Sequence, residues 1–151
     1  METTRKIKFA VVGCGHIGKR HASMIQGNDD CELVALCDIK AKAQLGLEAY
    51  SEAVLFESYD ELIASELEID VISIATPNGY HQEHALKALD RNCQVVVEKP
   101  MALTKAGCEK IIFKALHKHK QVFCVMQNRY SPPSEWLKEI LEKGILGQIF
   151  M

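Results

Sequence analysis

Apolar runs alternate with polar, helix-favouring stretches along the chain, and this pattern predicts alternating strands and helices. Runs rich in β-branched residues predict six strands, at residues 7–12, 32–37, 54–56, 71–75, 94–97 and 122–126. Helix-forming stretches between them predict helices at 17–26, 41–50, 59–67, 80–90 and 105–116. The run 71–75 is apolar except for Ser73, which is typical of a strand covered on both faces. The sequence therefore predicts an α/β fold with a doubly wound parallel sheet.

A glycine-rich turn joins the first strand to the first helix, in the segment KIKFAVVGCGHIGK. Gly13 allows a tight turn, Gly15 lacks the Cβ that would block a pyrophosphate, and Gly18 lets the helix pack against the strand. The helix begins at His16 and Ile17, and the unpaired amides of a helix N-terminus attract phosphate charge.

Asp38 ends the second predicted strand, 20 positions after Gly18. A carboxylate at this spacing accepts hydrogen bonds from the adenosine ribose of a dinucleotide and repels the 2′-phosphate of NADP. The turn and Asp38 together predict a Rossmann fold that binds NAD in preference to NADP, although Lys40 and Lys42 weaken that preference. A purely structural glycine turn is the alternative.

The composition excludes several classes of protein. The chain has 151 residues, 48% hydrophobic and 25% charged, which fits a folded domain. A formal net charge of -2 gives no field for binding nucleic acid or an anionic membrane. The N-terminal apolar run is too short for a signal peptide, and no stretch approaches the ~20 apolar residues of a membrane span, so we expect a cytoplasmic protein.

His81 and His84 lie one helical turn apart, but no further Glu or Cys at metal-ligand spacing joins them, so no metal site is predicted.

Four ordered segments, AVVGCGHIGKRHA, IATPNGYHQEHALKAL, VVVEKPMALT and VMQNRY, resemble the Gfo/Idh/MocA oxidoreductase family over nearly the whole chain. Members of this family use a nicotinamide cofactor to oxidise or reduce a secondary alcohol, usually on a sugar, cyclitol or nucleotide sugar. VMQNRYSPP is similar to members that oxidise a UDP-linked acetamido-sugar uronate. The resemblance implies an NAD(P)-dependent dehydrogenase of sugar metabolism that forms a homo-oligomer in its full-length form.

The same resemblance assigns roles to individual residues. Lys99 is the implied catalytic lysine, because a cation beside the substrate hydroxyl stabilises a developing alkoxide and a pKa lowered by burial permits proton relay. An exposed charge pair of Glu98 and Lys99 at a strand end is the alternative. Asn128 and Arg129 either contact a polar substrate or tie two domains together. The implied cofactor-binding residues are Gly13, Gly15, His16, Ile17, Gly18, Asp38, Thr76, Pro77, Asn78, His81, Glu98 and Lys99.

Family members continue into a second α/β domain, which supplies the substrate pocket together with a further Asp and His. Residues 1–128 correspond to the NAD(P)-binding domain, and 129–151 to the beginning of the second domain, with a helix at 135–142 and a strand starting at 147–151. We therefore expect an N-terminal part that binds the cofactor without turnover and exposes apolar surface near Trp136. A non-catalytic sensor or regulator that binds nicotinamide dinucleotides is the alternative function.

Overall fold

The structure, a computed structural model, describes residues 5–150. Within that range, six parallel strands form the sheet: β1 (Ile7–Val12), β2 (Cys31–Cys37), β3 (Val54–Phe56), β4 (Val71–Ile74), β5 (Gln94–Val97) and β6 (Val122–Cys124). The α-helices in the same range are α1 (His16–Gln26), α2 (Tyr59–Ala64), α3 (His81–Asp90), α4 (Lys105–His117) and α5 (Pro132–Glu142). The predicted doubly wound parallel sheet is confirmed.

The strand order places a crevice at the carboxyl ends of β1 and β4. The order is β3-β2-β1-β4-β5-β6, so the chain winds outward from β1 to β3 and then crosses to the other side of β1. Such a reversal of winding leaves an open crevice above the two central strands, because their following loops leave in opposite directions. The pairing of β1 with β4 runs to Val12 opposite Ile74, so Gly13 and Ala75 follow side by side.

The sheet is covered on both faces by apolar clusters. One face packs against α2, α3 and α4, with Ile72 and Ile74 of β4 at 0% exposure in its centre. The other face carries Val11 and Leu36 and packs against α1. Burial of each such side chain contributes roughly 1.5–3 kcal/mol to the free energy of unfolding. The packing on both faces therefore fixes the positions of the strands whose carboxyl ends form the crevice.

The helix predicted at 41–50 is wrong. The structure has two short 3₁₀ turns there, Lys42–Gln44 and Glu48–Tyr50. Gly46 lies between them at φ 57°, a left-handed conformation that breaks a helix. Leu45 and Leu47, on either side of it, are both buried in the cluster that faces α1. Burial of two residues at a spacing of two requires extended or turning backbone, and it overrides the helix propensity of this segment.

Other element boundaries also differ from the prediction. Helix α2 ends at Ala64 rather than near residue 67. Strand β6 ends at Cys124, and Gln127–Tyr130 forms a 3₁₀ turn. Helix α5 begins at Pro132, which suits proline because the first turn of a helix needs no amide donor. Residues 147–150 form no strand, contrary to the prediction, and Met151, the last residue of that predicted strand, lies outside the described residues.

Candidate functional site

A cleft of about 510 Å³ opens at the carboxyl edge of the sheet, above β1, β2 and β4. Five of the predicted site residues line it: Gly13, Gly15, Asp38, Thr76 and Pro77. A second cleft of about 500 Å³ lies at the amino ends of β1, β2 and β3, and none of the predicted site residues lines it. The carboxyl-edge cleft is therefore the candidate site.

The three glycines of the turn meet different surroundings. Gly13 has φ 87°, and a Cβ there would lie 2.7 Å from the Ala75 carbonyl oxygen. A Cβ on Gly18 would lie 1.7 Å from the Gly13 carbonyl oxygen, so α1 approaches the turn as closely as backbone allows. A Cβ on Gly15 would meet nothing within 4 Å. The fold therefore requires glycine at positions 13 and 18, whereas at Gly15 the space above the backbone is open to a ligand.

Helix α1 presents its N-terminus to this open space. Gly15 is the N-cap, no side chain caps the helix, and its first turn holds no acidic residue. His16 and Ile17 form that first turn and are exposed. Because the amides at a helix N-terminus lack intrahelical acceptors and carry the positive end of the helix dipole, this position favours an anion.

Asp38 is held in place at the cleft by backbone amides. Its Oδ2 accepts a hydrogen bond from the Cys14 amide at 2.7 Å, and its Oδ1 accepts one from the Lys40 amide at 2.9 Å. Each carboxylate oxygen keeps a lone pair that can accept a further hydrogen bond from a ligand hydroxyl. The neighbouring Ile39 side chain is 91% exposed at the mouth of the cleft.

Cys14, within the glycine turn, is an inert thiol. It is 1% exposed, and its Sγ donates to the Cys37 carbonyl oxygen at 3.5 Å. Burial, together with the nearby Asp38 carboxylate, raises the pKa of Cys14 to about 11. The thiolate is therefore scarce at neutral pH, and Cys14 packs as a small buried hydrophobe.

An aromatic cluster that the sequence reasoning missed forms another wall of the cleft. The His84 ring lies 4.3 Å from the Tyr59 ring and 5.6 Å from the Tyr80 ring, measured between centroids. His84 Nδ1 is 3.2 Å from the Thr76 hydroxyl. Burial lowers the pKa of His84, so the imidazole is neutral at neutral pH. The signal was present in the sequence, since His84 follows Tyr80 by one helical turn on the same helix face.

His81 does not line the cleft, contrary to the prediction. It is 0% exposed, and its two ring nitrogens each lie 2.7 Å from a carbonyl oxygen, those of Thr76 and Pro100. The first residue of α3 thus points inward and joins the loop after β4 to the loop after β5. His81 therefore connects the two loops beneath the cleft. Both of its ring nitrogens already lie within hydrogen-bond distance of a carbonyl oxygen, so neither is available to a cofactor.

Glu98 and Lys99 follow β5 on the same carboxyl edge. The Glu98 side chain is 14% exposed and lies 3.1 Å from His21 Nε2, while Lys99 is exposed and precedes a cis bond to Pro100. The alternative of an exposed Glu98–Lys99 charge pair does not fit a largely buried Glu98 that is bonded to His21. His21 was also missed by the sequence reasoning, although it lies inside the segment AVVGCGHIGKRHA.

The remaining predicted residues lie farther along the same edge. Asn78 begins a 3₁₀ turn after Pro77 and is exposed. Asn128 and Arg129 lie in the exposed turn after β6, two strands away from β4, and do not line the cleft.

Within residues 5–150, no group of three or more His, Cys, Asp or Glu side chains is arranged to hold a metal ion. None of the helices in that range is both long and apolar enough to cross a bilayer.

A parallel sheet with a glycine turn and a strand-end carboxylate at its switch point defines the class of dinucleotide-binding α/β domains. The profile described as "Oxidoreductase family, NAD-binding Rossmann fold" matches residues 7–126. The chain belongs to the Gfo/Idh/MocA oxidoreductase family, which confirms the family and the NAD-binding domain predicted from the sequence.

Relatives in this family include sugar and inositol dehydrogenases. D-glucoside 3-dehydrogenase of Escherichia coli (strain K12) is 31% identical over 151 residues, covering 99% of this chain and 43% of that protein. Inositol 2-dehydrogenase of Salmonella typhimurium (strain LT2) is 34% identical over 149 residues, covering 96% of this chain and 44% of that protein. The crystal structure of the WlbA dehydrogenase from Bordetella pertussis in complex with NADH and UDP-GlcNAcA matches with a TM-score of 0.87 at 34% identity, covering 97% of this chain and 46% of that one. The chain thus spans less than half the length of these relatives.

Proposed function

We propose that the carboxyl-edge cleft binds NAD for hydride transfer to or from a secondary alcohol of a sugar, cyclitol or nucleotide sugar. The observation that carries this proposal is the open space beside Gly15, at an uncapped helix N-terminus and next to the Asp38 carboxylate. Phosphate fits the amides of that helix, and ribose hydroxyls fit the carboxylate. The relatives are dehydrogenases of sugars, inositols and a nucleotide sugar, which supports the substrate class.

The cofactor would lie along the edge from β2 to β5. Gly13, Gly15 and the first turn of α1 would hold the pyrophosphate, and Asp38 the adenosine ribose. Thr76, Pro77 and Asn78 would face the nicotinamide half, with Glu98 near its ribose. His81 would not contact the cofactor; it would position the loops after β4 and β5 through its contacts to the Thr76 and Pro100 carbonyl oxygens.

NAD supplies the hydride acceptor or donor when it is bound. Lys99 would donate a hydrogen bond to the oxygen of the reacting hydroxyl and stabilise the negative charge that develops there during oxidation. Lys99 is exposed, not buried as the relay expected from the sequence would require, so its ammonium group would first release a proton to solvent and the resulting amine would then take up the hydroxyl proton. We also propose that Asn128 and Arg129 lie at the boundary between the NAD(P)-binding domain, 1–128, and the start of a substrate domain over 129–151, because α5 buries no residue against the Rossmann sheet.

Calorimetric titration with NAD⁺, NADH and NADPH tests the cofactor site. We expect NADH to bind more tightly than NADPH, because the Asp38 carboxylate repels a 2′-phosphate. Asp38→Ala should weaken NADH binding at least ~tenfold, since loss of a charge-assisted hydrogen bond corresponds to about 1.5–3 kcal/mol. A thermal melt of the variant controls for the loss of the Asp38 bonds to the Cys14 and Lys40 amides. Absence of binding by a folded wild-type chain would contradict the proposal.

We further propose that the 151-residue polypeptide binds NAD but does not turn over a sugar by itself. It spans 43% to 46% of the relatives compared above, and the family resemblance places the further Asp and His in the remainder. The assay is NADH formation from NAD⁺ with myo-inositol, a D-glucoside and a UDP-linked acetamido-sugar uronate. Detectable NADH with any of these substrates would show that the polypeptide is catalytically sufficient.

A further inference from the structure

A buried hydrogen-bonded chain of three side chains links α1 to the loop after β5. His21 Nδ1 lies 2.7 Å from the Ser73 hydroxyl oxygen, and His21 Nε2 lies 3.1 Å from Glu98 Oε1. Ser73 is 2% exposed, and the His21 and Glu98 side chains are each 14% exposed. Three separate elements, α1, β4 and the end of β5, each contribute one member.

With Glu98 as a carboxylate and His21 as a neutral imidazole, donor and acceptor chemistry gives these hydrogen bonds one direction. An ionised carboxylate can only accept, so His21 Nε2–H donates to Glu98. In the neutral imidazole Nδ1 then has a free lone pair, and the Ser73 hydroxyl donates to it. The chain therefore runs from Ser73 through His21 to Glu98. Ser73 is too buried to reach a substrate, so the three residues are not a nucleophilic triad despite their types.

The second oxygen of Glu98 extends this chain to Lys99. Glu98 Oε2 accepts a hydrogen bond from the Lys99 backbone amide at 3.2 Å. With Oε1 on His21 and Oε2 on that amide, the carboxylate is held at both ends. The Glu98 carboxylate thus connects His21 on α1 to the backbone amide of Lys99.

We propose that His21 is a positioning residue, which fixes Glu98 and Lys99 on the nicotinamide side and ties them to the helix whose N-terminus faces the pyrophosphate. This inference rests on the proposed function, in which Glu98 and Lys99 face the nicotinamide half of NAD. A charge-assisted hydrogen bond in a poorly solvated place is stronger than one at the surface, so this link is well suited to holding the geometry.

The positioning role of His21 predicts different effects on the binding of the two halves of the dinucleotide. ADP carries the adenosine ribose and the pyrophosphate but no nicotinamide riboside, so it reaches Asp38 and the glycine turn without reaching Glu98. Loss of the His21 hydrogen bonds should therefore weaken binding of NADH and leave binding of ADP unchanged. A role of His21 in folding alone would weaken both ligands together.

A matched pair of substitutions at His21 tests this. The side-chain amide in His21→Gln keeps an acceptor for Ser73 and a donor for Glu98, whereas His21→Leu keeps the bulk and removes both. Calorimetry with NADH and ADP should show a ~tenfold loss of NADH affinity for His21→Leu, the equivalent of one charge-assisted hydrogen bond, with ADP affinity within about twofold of wild type. His21→Gln should recover NADH affinity to within about threefold.

Ser73→Ala keeps the test decisive if His21→Leu does not fold. It removes only the hydroxyl that orients the imidazole, and we expect a loss of about threefold in NADH affinity with ADP unaffected. Equal losses for NADH and ADP, or equal behaviour of the Gln and Leu variants, would overturn the positioning role while leaving the cofactor site intact. A wild-type chain that binds neither ligand would instead overturn the proposed function, and the positioning role with it.

Discussion

Replacement of Gly15 by alanine should separate cofactor binding from folding. Gly15 has φ −68° and ψ −166°, an extended conformation that alanine adopts freely. The new methyl group would meet no protein atom within 4 Å. Gly18→Ala is the contrasting variant in the same turn, because its Cβ would lie 1.7 Å from the Gly13 carbonyl oxygen.

The structure sets different magnitudes for the two variants. In Gly15→Ala, the loss of a glycine N-cap and the lower entropy of the unfolded chain oppose each other, so the free energy of unfolding should change by less than about 1 kcal/mol. NADH affinity should fall at least ~tenfold, because the methyl group occupies the space where the pyrophosphate would meet the α1 amides. In Gly18→Ala, a backbone overlap that no rotamer relieves should lower stability by more than about 3 kcal/mol.

Urea unfolding and calorimetry on the same preparations check this prediction. Gly15→Ala should unfold like the wild type and bind NADH and ADP weakly, since both ligands carry the pyrophosphate. Gly18→Ala should unfold at a lower urea concentration whatever its binding. Wild-type affinity of Gly15→Ala for NADH would refute the reasoning, because it would place the pyrophosphate away from the glycine turn.

His81 should contribute more to stability than its neighbour on α3. We expect His81→Leu to lower the free energy of unfolding by about 2–4 kcal/mol, because the buried ring is lost together with its contacts to the Thr76 and Pro100 carbonyl oxygens. We expect His84→Leu to lower it by less than about 1.5 kcal/mol, and urea titration measures both. Equal losses would contradict the inward placement of His81. Cys14, Cys37 and Cys93 should be the last thiols alkylated by iodoacetamide, as followed by mass spectrometry. All three are buried, and burial raises their pKa values, to about 11 for Cys14 and about 12 for Cys37. Burial disfavours these thiolates only in the folded chain, so stability should fall as pH rises above the usual thiol value of 9.0, seen as a lower urea midpoint at about pH 10 than at about pH 8. Trp136→Glu should reduce self-association in sedimentation without loss of stability, because the Trp136 side chain is 64% exposed on α5.

Hydrophobic patterning predicted the sheet because each strand is a short apolar run bounded by turn residues. It failed at 41–50, where Leu45 and Leu47 are both buried and Gly46 turns between them. Helix propensity measures the local preference of the backbone, whereas the clusters on the sheet decide which side chains face inward. The predicted strand after Gly147 failed for a related reason, since residues 147–150 have no strand beside them with which to pair.

The site was predicted where its residues directly follow strands and missed where they come from helices. Gly13, Asp38 and Thr76 were found because the ends of parallel strands share one edge. His84 reaches the cleft from the second turn of α3, and only the packing of α3 against the sheet brings it there. His81 was assigned to the cleft by its position after β4, but a helix's first residue can face either the cleft or the core, and sequence order does not distinguish them.

Sequence reasoning could predict that the Ser73 hydroxyl needs a hydrogen-bond partner, but not which residue provides it. A lone hydroxyl in a strand buried on both faces needs a hydrogen-bond partner, because an unpaired buried polar group costs about 1–3 kcal/mol. Ser73 pairs with Val11 in the sheet, and Val11 belongs to the cluster against α1, so the partner had to come from α1. His21 follows Gly18 by one helical turn and is therefore on the face that α1 presses against the sheet. Neither partner of His21 could be deduced from the sequence alone. The Ser73 contact depends on the pairing of β1 with β4 and the Glu98 contact on the pairing of β4 with β5, and the strand order reveals both.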